Sequence, residues 1–329
     1  MGRKSRNPLF RDHSRFQLDP CHPTLLPRSH NQWRNHTGGI LLNSLLEAWN
    51  LSTGLFLDGF LAVLVASFVL PAIGTLLVLR KMPFVAVAVP GIAGAGVAFS
   101  YFIWPTIFAI AYETLDPPST FFQNLCAFLF LALGLLWLSS RESRDRIESG
   151  AVLLFVVTLA LSEILLLDSI YDEFSHRWLH HGHVLSVLES GRSRVIGTCL
   201  IIAAIAGFYR RELWLTAIDR EQATISGLPE KRWLLIHLFL AGVASGMIVP
   251  ELGPQVVLGL LLIPATISFP AARSLSGYAW TCATIGIVST LLTFWVSMIQ
   301  DWPIAPALIV ILAIVSLIHR LIKQRWWAT

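Results

Sequence analysis

The sequence predicts an all-α, polytopic membrane protein with about eight or nine membrane-spanning helices. Hydrophobic residues make up 55% of the chain and charged residues 13%, whereas a soluble domain is about one-quarter charged. The apolar residues fall in runs close to the ~20 residues that a helix needs to cross a bilayer. Lys and Arg lie at the edges of these runs, as in cytoplasmic loops, so the net charge of +4 does not indicate a nucleic-acid partner.

The N-terminal region differs from the rest of the chain. Residues 1–38 are basic, contain proline and show no periodicity. No apolar segment follows the initial charges, so we do not expect a secretory signal peptide and predict a disordered tail. Residues 39–55 are apolar on one side only, which favours a helix lying at the membrane interface. We assign the transmembrane domain to residues 56–329.

Nine apolar runs follow, and each is a candidate membrane span within the lipid bilayer. They lie at residues 56–79, 84–111, 120–139, 150–168, 194–209, 233–249, 253–272, 277–299 and 303–322. The second run is interrupted by Pro90 and several glycines. The sixth and seventh runs are joined by the short segment PELGP, which predicts a tight turn.

The charges of the loops sort the loops into two sets. Basic residues concentrate in the segments at 80–81, 141–146, 210–232 and 319–327, which the positive-inside bias assigns to the cytoplasm. The other loops carry few Lys or Arg and are expected outside. Nine spans with a cytoplasmic C-terminus would place the basic N-terminal tail outside. Three explanations stay open: a translocated tail, a start further downstream, or a count that is off by one.

A polar, charge-mixed stretch, AIDREQATISGLPEKR, separates two apolar runs and predicts a short helix near residues 217–229. Asp219 can cap its start, and Glu221 lies near the positive end of its dipole. Ala223 allows close contact with another surface, and Gly227 can adopt the left-handed conformation that ends a helix. Such a helix would act as a rigid lever between two spans. The alternative is an ordinary solvated loop.

The same stretch carries a family resemblance. IDREQATISGLP resembles the cytoplasmic coupling-helix motif Asp-x-Glu-x-Ala-x-x-x-Gly-Leu-Pro in permeases of the metal-ion (zinc, manganese, iron) ABC importers. Three further stretches are similar to that family in order and spacing: LPAIGTLLVLRKMPF, WLHHGHVLSV and VVLGLLLIPATIS. The resemblance runs from about residue 55 to the C-terminus and does not cover residues 1–38.

The resemblance implies an ABC importer permease in the bacterial cytoplasmic (inner) membrane. It implies a second permease copy, cytoplasmic ABC ATPase subunits and an extracytoplasmic substrate-binding protein as partners. Asp219, Glu221, Ala223 and Gly227 correspond to the ATPase contact. The chain would bind no cofactor and would not itself be an enzyme, since ATP would bind to the partner subunit. The expected cargo is a divalent transition metal or a metal chelate.

The second span departs from the family pattern. After the basic-Met turn the family has an Asp and, four residues later, a His, a spacing that places two metal ligands on one helix face. Counting from Met82, these places hold Val87 and Gly91. The segment MPFVAVAVPGIAGAGVAF contains no side chain able to bind a metal ion. This difference leaves the architecture intact and places the identity of the cargo in doubt.

Other residues are candidates to replace the missing ligands. The outer loop DEFSHRWLHHGH contains His176, His180, His181 and His183, and the first two have the four-residue spacing of helical metal ligands. The alternatives are a wet loop that tolerates histidines and a proton-linked or structural role. Glu163 lies well inside a span, where a charge is costly unless it is paired or faces water. It either lines the pathway or forms hydrogen bonds between helices.

Two further polar residues are assigned structural roles. His237 lies inside the sixth run and is interpreted as a hydrogen-bonding residue between helices, with metal ligation as the alternative. Asp58 lies at the outer end of the first run, where we expect it at the membrane interface.

Other classes of protein are less consistent with the sequence. It contains no His-Glu-x-x-His or Gly-x-Ser-x-Gly motif and no Walker-type phosphate-binding loop, so neither a membrane enzyme nor a self-contained ATPase is favoured. The alternatives are a secondary transporter or channel without an ATPase partner and a diverged ABC permease with non-metal cargo. A secondary transporter needs no docking helix, so replacing Glu221 or Gly227 would leave its transport nearly intact.

Overall fold

The computed structural model describes residues 57–108, 117–141, 143–167, 184, 187, 189–269 and 274–325. All of these residues fall in one compact unit, Glu47–Thr329. The tail predicted at 1–38 and the interfacial helix predicted at 39–55 lie outside the described residues and stay predictions.

The described residues form eleven α-helices and contain no strand, which confirms the all-α prediction. The helices are α1 (Leu57–Leu79), α2 (Pro83–Phe108), α3 (Thr120–Ser139), α4 (Arg144–Leu167), α5 (Glu189–Phe208), α6 (Arg210–Ile218), α7 (Arg220–Ile225), α8 (Glu230–Leu252), α9 (Pro254–Ser268), α10 (Leu275–Gln300) and α11 (Ile304–Arg325).

Eight of the described helices are long and apolar enough to cross a membrane: α1 to α5, α8, α10 and α11. The ninth predicted span, 253–272, corresponds to α9, which has only 15 residues. At 1.5 Å per residue such a helix is roughly 23 Å long, less than the ~30 Å hydrocarbon core. The predicted count of eight or nine spans is therefore confirmed for the described residues, with eight long helices and the shorter α9.

Several helix boundaries differ from the predicted spans. α4 already begins at Arg144 and α5 at Glu189, ahead of the predicted 150 and 194, because hydropathy marks only the apolar part of a helix. The run predicted at 84–111 forms one helix, α2, which continues through Pro90 from Pro83 to Phe108. Proline is tolerated in membrane helices because neighbouring helices and small local adjustments satisfy the freed backbone groups.

The centre of the bundle is formed by α1, α2, α8 and α9. About 67% of the apolar window of α1 and 72% of that of α2 is buried, against 28% for α4 and α5. α9 packs against α1, α2, α10 and α11. Gly74 lets α1 and α9 approach closely, because a Cβ there would lie 1.8 Å from the backbone oxygen of Leu261. Small residues allow this backbone approach in membrane bundles, where packing drives helix association.

The outer helices expose apolar side chains. Leu133 on α3, Leu153 on α4 and Leu200 on α5 are 61%, 55% and 63% exposed. Apolar surface over whole helix lengths is unusual in a soluble monomer and is what a lipid-facing surface requires. The chain is a multi-pass membrane protein.

Three of the four loops predicted to be basic meet at one end of the bundle, which we call the basic end. Arg144, at the start of α4, donates two hydrogen bonds of 3.2 and 3.0 Å to the carbonyl of Lys81 in the α1–α2 turn. Arg80 in the same turn donates a hydrogen bond to the carbonyl of Thr216 in α6. These contacts agree with the predicted grouping of the loops at 80–81, 141–146 and 210–232.

Candidate coupling site

The predicted lever forms as a separate short helix, α7, at the basic end. Asp219 ends α6, where its N–H donates to the carbonyl of Leu215, and its extended backbone then turns the chain into α7. Its carboxylate accepts a hydrogen bond of 2.9 Å from the N–H of Gln222. Asp219 is therefore the N-cap of α7, because it satisfies one of the donors that a helix start leaves without a partner.

The other end of α7 is closed by a glycine. Gly227 has a φ of 81°, and its N–H donates to the carbonyl of Thr224 at 3.0 Å. The N–H of Leu228 donates to the carbonyl of Ala223 at 2.9 Å. These two bonds form the pattern that commonly ends a helix at a left-handed residue. The predicted helix with a cap at Asp219 and a stop at Gly227 is confirmed.

The two faces of α7 differ in exposure. Ala223 faces the bundle and is 2% exposed, and Leu228 packs against the core. Glu221 lies on the exposed face, where Ile225 is 87% exposed. Ile225 is therefore a solvent-exposed apolar side chain on a polar six-residue helix, available to a partner surface.

The four residues predicted to contact an ATPase are placed differently. Asp219, Glu221 and Gly227 are exposed. Ala223 does not fit a direct contact, because its methyl group is buried inside the chain. The methyl group of Ala223 instead packs α7 against the bundle. Sequence reasoning missed Ile225, although an apolar residue within a polar stretch was an available signal.

The second-span positions that differ from the family lie in α2. Val87 is half-buried. Gly91 faces α4, and a Cβ there would lie 3.1 Å from a ring carbon of Phe155 and 3.4 Å from the hydroxyl oxygen of Thr158. The place of the family histidine is therefore a helix-packing position in this chain, where even a Cβ would require the Phe155 side chain of α4 to shift.

The candidate metal ligands remain apart or outside the described residues. His176, His180, His181 and His183 fall within 168–183, which the structure does not describe. Glu163 is half-buried on α4. Within the described ranges, no three His, Cys, Asp or Glu side chains come together to hold a metal ion. The roles predicted for these five residues stay predictions.

The end of the bundle opposite the basic end is held by ion pairs. Asp58 on α1 pairs with Arg192 on α5, so its role is a contact between two helices. Glu251, at the end of α8, has a side chain only 7% exposed and pairs with Arg194 on α5 at 2.6 Å. The predicted tight turn follows it as the single residue Gly253, with a φ of 87°. The two pairs connect α5 to the central helices α1 and α8.

Comparisons with known proteins agree with this architecture. The model of the ABC 3 transport family matches residues 53–323. The high-affinity zinc uptake system membrane protein ZnuB of Buchnera aphidicola is 23% identical over 222 residues, 66% of this chain and 84% of the relative. The manganese transport system membrane protein MntC of Listeria monocytogenes is 25% identical over 252 residues, 75% of this chain and 82% of the relative.

A solved structure shows the same fold. PsaBC from Streptococcus pneumoniae, in complex with Fab, aligns with a TM-score of 0.69 at 18% identity, covering 83% of this chain and 94% of that chain. The spans of this chain and their order therefore match the fold of that structure, which confirms the predicted polytopic all-α fold. The chain belongs to the ABC 3 transport family. The resemblance inferred from the coupling-helix motif is confirmed.

Proposed function

We propose that this chain is the membrane permease subunit of an ATP-driven importer in the bacterial cytoplasmic membrane. Two copies would form the pathway, two cytoplasmic ABC ATPase subunits would bind at the basic end, and an extracytoplasmic binding protein would deliver the cargo. Family membership and the names of the relatives support this arrangement. ATP would bind to the partner subunits, and this chain would bind no cofactor.

The observation that carries the proposal is the construction of α7. The helix is closed at both ends by Asp219 and Gly227, seated by Ala223, and presents Ile225 outward. A solvated loop needs none of these features. A helix with both ends satisfied moves as a unit, so a push on its exposed face reaches the bundle through its buried face.

The cargo proposed is a divalent transition metal (zinc, manganese or iron) or its chelate. The names of the relatives support a metal. The histidines at 176, 180, 181 and 183 supply imidazole ligands suited to such ions, and Glu163 on α4 is the candidate pathway carboxylate. Val87 and Gly91 cannot contribute side-chain ligands, so capture would depend on the outer loop.

The partner is tested with Ile225→Ala in the chain co-expressed with its cognate ABC ATPase subunit. Burying an isoleucine is worth about 1.5–3 kcal/mol, so we expect association with the ATPase to weaken by at least about tenfold. Ile201→Ala is the matched control, because Ile201 is 61% exposed but lies on α5, in a membrane span. Equal affinities of the two variants would contradict the proposed docking surface.

The cargo is tested separately in proteoliposomes that contain the permease, the ATPase subunits and the binding protein. We expect ATP-dependent accumulation of Zn²⁺, Mn²⁺ or Fe²⁺, reduced when His176 and His180 are both replaced by alanine. Coupled ATP hydrolysis without accumulation of any of these metals would reject the metal cargo and keep the ABC architecture. Full-rate transport with no ATPase present would identify a secondary transporter instead.

A further inference from the structure

Arg80 is a charged side chain buried at the basic end. It follows the last residue of α1 and is 2% exposed. Burying a charge in a protein interior is costly unless hydrogen bonds compensate for the lost water.

Arg80 reaches the helix that leads into α7. Its Nη2 donates a hydrogen bond of 3.3 Å to the carbonyl of Thr216, from a position 136 residues earlier in the chain. Thr216 lies in the last turn of α6, where helix carbonyls lack partners within the helix and a positive charge is favourable. The hydroxyl of Thr216 donates back to the carbonyl of Glu212 at 2.8 Å, so this turn is firmly defined.

A third helix closes the same cluster. His237 on α8 is 1% exposed, and its Nδ1 lies 2.6 Å from the carbonyl oxygen of Trp233. Trp233 lies on the same helix, and α8 packs against α6. We call Arg80 and Thr216 the Arg80 node. The node joins the end of α1 to α6, beside α8.

The node lies next to the candidate lever. Only Asp219 separates α6 from α7, and Thr216 precedes Asp219 by three positions. Movement of α7 therefore displaces the last turn of α6 directly. That turn is bonded through Arg80 to α1, which packs against α5, α9 and α10. The hydrogen bond between Arg80 and Thr216 therefore connects the exposed helix α7, through α6, to α1 at the centre of the bundle.

We infer that Arg80 is a positioning residue that transmits the displacement of α7 to α1. The inference rests on the proposed function, because it assumes that an ATPase drives α7. Arg80 touches neither cargo nor nucleotide in this role. Losing it should therefore separate ATP hydrolysis from uptake, whereas a merely structural role would lower stability and leave uptake per ATP unchanged.

The test compares Arg80→Gln with Arg144→Gln in the reconstituted complex of permease, ATPase subunits and binding protein. Arg144 is the matched control, because it also bridges helices at the basic end by bonding a backbone carbonyl, but its two hydrogen bonds go to Lys81 in the α1–α2 turn rather than to α6. With radioactive Zn²⁺ and Mn²⁺ as probes, we expect Arg80→Gln to hydrolyse ATP within about twofold of the wild type while metal uptake per ATP falls at least tenfold. Arg144→Gln should change that ratio less than twofold.

The outcomes are distinguishable. An unchanged uptake per ATP in Arg80→Gln, or an equal loss in both variants, overturns the inference and leaves the proposed function standing. No ATP-dependent uptake by the wild type refutes the proposed function itself. If Arg80→Gln fails to fold, Arg80→Lys retains the charge but lacks the planar fork, and we expect its uptake per ATP to fall about threefold. An unchanged ratio in Arg80→Lys then overturns the inference.

Discussion

Replacing Gly227 with alanine should loosen the end of α7 without disturbing any neighbouring side chain. Gly227 has a φ of 81°, and a Cβ added there would meet no atom within 4 Å. The expected cost is therefore backbone strain alone. A left-handed conformation costs an L-residue about 1–2 kcal/mol, and the reduced freedom of the unordered chain offsets about 0.4–1 kcal/mol of this.

The net destabilisation of the α7 end is about 1 kcal/mol, a change of roughly fivefold in the local opening equilibrium. The affected groups are the N–H groups of residues 227 and 228, which donate to Thr224 and Ala223. Hydrogen exchange of the peptide spanning 222–229, measured by mass spectrometry in nanodiscs and corrected for intrinsic rates, should therefore accelerate about fivefold. ATP-dependent uptake of cargo by the complex that contains Gly227→Ala should decrease as well.

Two control variants separate strain from the added methyl group. Gly227→Asn should exchange more slowly than Gly227→Ala, because asparagine tolerates the left-handed region. Gly197→Ala adds a methyl group that also meets no atom, but inside α5 at an ordinary helical φ, and should not accelerate exchange. Wild-type exchange in Gly227→Ala would refute the reasoning that the left-handed residue closes this helix.

Three further substitutions test the cap, the core and the opposite end. Asp219→Ala removes the N-cap of α7 and should destabilise the helix by about 1 kcal/mol. Hydrogen exchange of α7 should become faster, and Asp219→Asn should largely restore the wild-type rate. Equal exchange rates in the wild type and both variants would contradict the cap. Gly74→Ala forces α1 away from α9 and should lower the free energy of unfolding by about 1–3 kcal/mol. Tryptophan fluorescence should show a lower Tm than in the control variant Gly197→Ala. A wild-type Tm would exclude this close approach of the two helices. Glu251→Gln breaks the ion pair with Arg194, whose side chain is 32% exposed. The free energy of unfolding should therefore fall by about 1–3 kcal/mol, less than for a fully buried pair. A double-mutant cycle with Arg194→Gln that shows strict additivity would contradict the pair.

The apolar runs predicted nearly every span because membrane insertion depends on local composition and length. Each run of about 20 apolar residues satisfies its own backbone in a helix, wherever its neighbours lie. The caps of α7 were predictable for the same reason, since Asp219 and Gly227 act on groups within a few residues of themselves. The single span predicted through Pro90 also forms, because the context of the bundle overrides a local helix breaker.

Which side of a helix faces the bundle could not be obtained from such local signals. The coupling motif marked Ala223 as a partner contact, whereas packing buries it and leaves Ile225 outside. The His and Asp positions of the family correspond to Val87 and Gly91 here, and only packing shows that Gly91 is pressed against α4.

The sequence by itself determined that the chain crosses a membrane many times and carries a short capped helix at the basic end. The tertiary structure decided what that helix is attached to. The bond between Arg80 and Thr216 spans 136 positions, and the pair of Arg194 and Glu251 spans 57. Local patterns encode helices because their hydrogen bonds close within four residues, whereas such distant pairs form only after the bundle has packed.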